Sequence, residues 1–180
     1  NKIYINMSCN FTLNGSTLEC LNHGGIKELG IIPVDEVLTV TPTTSGSTTD
    51  EVTAVTFVES KKFKKYAFRK GNANFVSNIE KDEASNTSGV KTDVTLQLNH
   101  MSNQLRREMT QLVGGAFYIV VKDNNDKNWF IGYNSYASAT TGTGQTGATR
   151  AEGNFYSIVL SAETNEYPLT IDETLWESLF

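Results

Sequence analysis

The run from Ala116 to Tyr133, AFYIVVKDNNDKNWFIGY, constrains the fold more than any other part of the chain. Two apolar, aromatic-rich segments flank a polar tip, the pattern of two antiparallel strands joined by a tight turn. A second signature precedes it: Val90, Val94, Leu96 and Leu98 alternate with Lys91, Asp93, Thr95 and Gln97. Period two sends one set to a core and the other to water or a neighbour. Further strands are predicted in GGIKELGIIPV, VLTVT, VTAVTFV (52–58), FKKYAFRK, NFVSNIE and FYSIVLSAE, each a β-branched or aromatic run bounded by turn residues. A helix is expected only between about Asn99 and Val113, where Met101, Leu105, Met109, Leu112 and Val113 recur at steps of three and four before Gly114 and Gly115. Its methionine-bearing stripe reads as a helix laid over a sheet.

A chain of 180 residues supports one sizeable core, so a single β-rich domain over 1–180 is expected. The formal net charge of -5 argues against binding nucleic acid by phosphate neutralisation. Lys61, Lys62, Lys64, Lys65, Arg69 and Lys70 do cluster around Phe63, Tyr66 and Phe68. A stacking surface for bases has this composition. The favoured reading is a half-buried strand whose lysines discourage wrong pairing at a sheet edge. No apolar run approaches the roughly 18 residues of a membrane span, and NKIYINMSCNF lacks a signal-peptide core. A soluble protein is therefore expected, with Met7 an internal residue or an alternative start, and with Cys9 and Cys20 either joined in a single bridge or, as favoured for a cytoplasmically made protein, reduced.

Two segments are expected to be pliant: Pro42–Asp50, PTTSGSTTD, and about 134–154, rich in glycine and threonine. Within the second, Gly142, Gly144 and Gly147 spell G-x-G-x-x-G. A dinucleotide turn needs a strand before that pattern and a helix after it. Here ATRAEGN leads straight into an apolar strand pattern, so the nucleotide reading fails. The tail at about 168–180 carries Leu175, Trp176, Leu179 and Phe180, which either fold back on the domain or dock onto another subunit.

Catalytic patterns are missing. His23 and His100 accompany neither a G-x-S-x-G elbow nor a cysteine in a recognisable frame. Asp123 and Asp126 stand at a hairpin tip, where solvation prevents tuning as an acid–base pair. DNNDKN resembles the first half of a calcium loop, without its sixth-position glycine and closing acid. Cys9, Cys20 and His23 offer zinc three ligands with no fourth in frame. The sequons at Asn10, Asn14 and Asn86 matter only in a secretory pathway. A non-enzymatic protein with no cofactor and no metal is expected.

The order of elements and the run KDNNDKNWFIGYNSYASATTGTGQTGATRAEGNFYSIVLSAETNEYP resemble the C-terminal half of tail-tube-like virion proteins of bacteriophages. CLNHGGIKELGIIPVDEV and FKKYAFRKGNANF are similar to structural proteins of phages that infect Bacteroidetes, so the likeness covers about two thirds of the chain. The resemblance implies an antiparallel β-sandwich or barrel flanked by one α-helix. It also implies a homo-oligomer, often of hexameric rings, that stacks into a DNA-conducting tube in the virion after synthesis in the host cytoplasm. Other virion proteins would be its partners. Open sheet edges and head-to-tail contacts suit ring closure, and an acidic lumen would let DNA pass without sticking. On this reading Gly142, Gly144, Gly147, Arg150, Leu175, Trp176 and Phe180 contact adjacent subunits. A tail-completion, head–tail joining or capsid-decorating role shares the same composition. From another class, a glycan-binding β-sandwich would stack sugars on Trp129, Tyr133 and Tyr136.

Overall fold

The computed structural model describes residues 12–13, 16–17, 23–45, 48–69, 71–84, 86–149 and 152–180. Two short strands, β1 (Thr12–Leu13) and β2 (Ser16–Thr17), pair with each other. The main body is built on β3 (Ile26–Pro33), β4 (Val37–Ser45), β5 (Thr48–Phe57), β6 (Lys64–Ala67), β7 (Ala73–Asp82) and β8 (Thr87–Asn99). Helix α1 (Asn103–Val113) follows, then β9 (Ala116–Asp123), β10 (Asn128–Ile131), β11 (Ala137–Gln145), β12 (Phe155–Thr164), β13 (Leu169–Ile171) and α2 (Glu173–Ser178). The protein is thus mainly β, with α1 its one long helix among the described residues.

The predicted hairpin forms the centre. β9 pairs with β3 along one edge, and along the other with β10 and then, through Phe117 and Ala116, with β11. From this strand the sheet forks. One arm runs β10–β13–β5–β4, with β13 parallel to β5; the other runs β11–β12–β8–β7 and is antiparallel throughout. β6 extends the sheet beyond β3.

Because successive strand residues face opposite sides, β9 serves two cores. Phe117, Ile119 and Val121 join Leu29, Ile31, Val94, Leu96, Ile158 and Leu160, while Val120 joins Ile32, Phe130, Leu169, Trp176 and Leu179 on the far side. Strands buried on both faces lose the polar alternation of a one-sided sheet, which is why this segment reads as a continuous apolar run. Met109 and Leu112 of α1 close one end of the first core. Ser102 caps the helix by accepting a hydrogen bond from the Leu105 amide.

Three expectations are corrected here. Pro42–Asp50 is not a free loop: β4 and β5 pair through Ser45 and Thr48, with residues 46–47 outside the described set. Most of 134–154 is likewise a strand, β11, paired with β12 from Ala137 to Gln145. The tail also holds two unforeseen elements, β13 and α2. β4 and β11 gain their order from the next strand in the chain, β5 and β12, and β13 from the more distant β10 and β5, none of which local composition reports.

Candidate functional site

The four-stranded arm β7–β8–β12–β11 presents the feature with most functional content. Register assigns its faces: Val94 opposes Leu160 and Phe75, and Leu96 opposes Ile158 and Ala73, all toward the first core. The opposite face carries Asn74, Val76 and Asn78 from β7, Thr95 and Gln97 from β8, Ser157 from β12 and Thr141 and Thr143 from β11. Its ionisable members are Glu80, Asp82, Asp93 and Glu163 against Lys91, so the face is polar and acidic. Asp93 and Ser161 are direct partners in one row of that face, and Asp93 Oδ1 and Ser161 Oγ are buried without a hydrogen-bond partner among the described residues.

Both margins of this arm are open among the described residues. β7 ends the sheet, and β11 pairs with β9 only through Ala137 and Ser138, leaving Ala139–Gln145 without a second neighbour. The direction of the groups on β7 follows from one bond, in which the Gln97 amide donates to the Asn72 carbonyl. Antiparallel residues alternate between bonding inward and outward. Asn72, Asn74, Asn78 and Glu80 therefore bond to β8, while Ser77, Ile79 and Lys81 turn their N–H and C=O groups to the open margin. Ile79 is 65% exposed.

The G-x-G-x-x-G glycines occupy this arm. Gly142 and Gly144 lie within β11 and not at a strand-to-helix turn. A Cβ on Gly144 would come within 2.8 Å of the Tyr156 ring, so glycine lets that ring lie across the neighbouring strand. Gly147, with φ of +70°, turns the chain out of β11, and the Glu152 carboxylate accepts from the Ala148 amide in the same turn. Arg150 lies outside the described residues, as do Cys9, Cys20, Met7, Lys70, Asn10 and Asn14.

The tail residues belong elsewhere. Asp172 caps α2 by accepting from the Leu175 amide, and the helix returns the chain end to its own domain. Trp176 is 2% exposed and packs its ring 5.1 Å from that of Phe180, which sits over Gly30; Leu175 and Phe180 flank the same core. The tail therefore folds back, and Trp176 is not free to meet a neighbouring subunit.

The basic stretch forms β6 and its approach. Phe63 is buried in the second core, and Tyr66 and Phe68 pack against the first, so these rings are not a platform for bases. Lys61 pairs with Glu36 at 2.7 Å, Lys65 pairs with Glu28 at 2.8 Å, and Lys62 donates to the Ser178 carbonyl. Burial and the adjacent Glu108 carboxylate push the Tyr66 hydroxyl up to about 12; its oxygen lies 3.4 Å from Glu108 Oε2.

At the β9–β10 tip the calcium-like carboxylates already have work. Asp123 accepts from the Asn125 and Lys127 amides and from Trp129 Nε1, and Asp126 pairs with Lys27 at 2.8 Å. The Lys27 bond holds the Asp126 carboxyl below its usual range. Asn124 and Asn125 donate to the Gly24 and His23 carbonyls, tying the tip to the start of β3. Among the described residues no three histidine, cysteine or acidic side chains are gathered to hold a metal ion. Trp129 faces the first core, 6.2 Å from the Phe75 ring, and Tyr133 packs against the second, leaving Tyr136 the exposed member of that trio. No helix among the described residues is long and apolar enough to cross a membrane.

No family model, curated protein or solved structure matches this chain.

Proposed function

We propose that the protein is a non-enzymatic virion subunit of the tail-tube type, assembling head to tail into rings through the two margins of the four-stranded arm. The observation that carries the reading is the pair of open edges, β7 on one side and Ala139–Gln145 of β11 on the other. An unpaired edge is a template for another strand, and two different edges that meet between copies close a ring when the rotation permits. The polar, acidic face between those edges suits a lumen. Phosphate finds few cations on it, and at physiological ionic strength the repulsion from Glu80, Asp82, Asp93 and Glu163 acts over about 8 Å. The sequence likeness to phage tail-tube proteins supports the same assignment.

Negative-stain electron microscopy of the purified protein tests it, with rings or tubes as the expected result. Ile79→Pro supplies the control. It removes an amide that points to the open margin and spares the β7–β8 ladder, so it should abolish association and leave the folded monomer intact. A wild-type protein that stays monomeric at high concentration would count against the assignment.

A further inference from the structure

We infer that the cavity at the end of β8, between the turn after β6 and the start of α1, binds a small organic anion in which an oxyanion is joined to an apolar body. Two hydrogen bonds fix the backbone there. The Gln97 amide donates to the Asn72 carbonyl, so by antiparallel alternation the odd residues of β8 bond toward β7; the His100 amide donates to the Asn154 carbonyl, so the even positions bond toward β12. Asn99 therefore directs its N–H and C=O to the β7 side. β7 begins only at Ala73, opposite Leu96, and the chain before it turns away, with the Asn72 amide donating to the Arg69 carbonyl. Among the described residues nothing pairs with Asn99 on that side.

The space left by that turn is a half-open cavity of about 510 Å³. Part of its wall is apolar, with Phe68, Leu98 and Leu105, all partly buried. Phe68 and Leu98 pack against the first core, so this part of the wall is held in place. Arg69, Asn72, Asn99 and His100 border the rest. His100 stands at φ of +73°, in a turn held by Asn154, whose carbonyl and Oδ1 accept from the His100 and Met101 amides. An apolar wall with a few polar groups converging on it is the usual form of a small-molecule site.

The lining gives the ligand its sign. Among the described residues no aspartate or glutamate borders this cavity, and neither the Arg69 nor the His100 side chain has an ion pair. The larger cleft under α1, of about 880 Å³, differs in setting Lys64 against Asp35 and Glu108, so its lining selects neither sign. A guanidinium offers a planar fork of donors that matches a phosphate or a carboxylate in two bonds, and the Asn99 amide supplies another donor from the main chain. The Asn99 carbonyl, on the same side, can accept from a hydroxyl next to the oxyanion. The cavity lies on the β8 side of the chain before β7 and not on the outward margin of β7, so this inference does not depend on the assembly reading.

The test is calorimetric titration of the protein with phenyl phosphate, phenylacetate, inorganic phosphate and benzylamine. Saturable binding of at least one of the two aromatic anions is expected, tighter than that of inorganic phosphate and with little binding of the amine; the tighter of the two identifies the oxyanion. Arg69→Gln and His100→Asn should each weaken it by about tenfold, asparagine being a residue that tolerates the left-handed turn. Arg107→Gln, an exposed arginine of α1 outside the cavity lining, should leave it unchanged. Hydrogen exchange at the Asn99 amide of the unmutated protein should slow when the bound anion is present. Benzylamine or inorganic phosphate binding as tightly as the aromatic anions would overturn the inference, as would an equal loss in Arg107→Gln or the absence of saturable binding at millimolar concentration.

Discussion

Gly144 shows how one residue type carries opposite meanings. In a string of glycines and threonines it reads as flexibility, yet the Tyr156 ring lies where its Cβ would be and Met101 Cε stands 3.4 Å from that point. Glycine here permits an aromatic ring to cover a strand, a contact invisible until β11 and β12 are paired. Gly144→Val should therefore cost about 1–3 kcal/mol through overpacking, as read from urea unfolding, and not act as a neutral loop change. Tyr66 provides a second residue-scale expectation. Its folded-state value of about 12 exceeds the ordinary 10, so its contribution is complete below pH 10 and is lost as pH rises toward 12. A tyrosinate absorbance titration of the wild type against Tyr66→Phe should show the missing group titrating near 12; a difference centred on 10 would contradict its burial.

Among the elements, those legible in the sequence are those whose own period carries the information. The β9–β10 hairpin and the alternation of β8 stand where expected, because burial on a repeating face writes itself into successive residues; α1 does so in part, starting only at Asn103, with Met109 and Leu112 buried, Met101 before the helix and Val113 exposed. β11 and the 42–50 end of the β4–β5 ribbon escape that logic: both are rich in threonine or glycine and gain order from a neighbour's ladder. The tail escapes it for another reason. Its Leu175, Trp176, Leu179 and Phe180 are plainly apolar, but only three-dimensional packing decides whether their own domain or another receives them. Since Trp176 is buried in the second core, Trp176→Ala should destabilise the isolated protein by about 3–5 kcal/mol, measured by denaturant melts at low concentration. An undiminished stability would return the tail to the status of a subunit contact.

At the scale of the whole molecule, the shared strand β9 and the fork it creates govern what is left unpaired. One arm ends in β7, the central part ends in β6, and these margins differ in length and charge. Ile79→Pro is thus expected to remove rings in micrographs while the folded monomer persists. Residue pattern by itself determined that the chain is mainly β with one amphipathic helix and a central apolar hairpin, since local periodicity reports which residues must leave water. Only the tertiary structure decided that β9 divides two cores, that the glycine–threonine run is a strand, that the tail closes on its own domain and which edges stay open. Those outcomes depend on which segments pair and pack together, near neighbours for β11 and β12 and distant ones for β13 and the tail, and a hydrogen-bonding partner leaves no period in the strand that receives it.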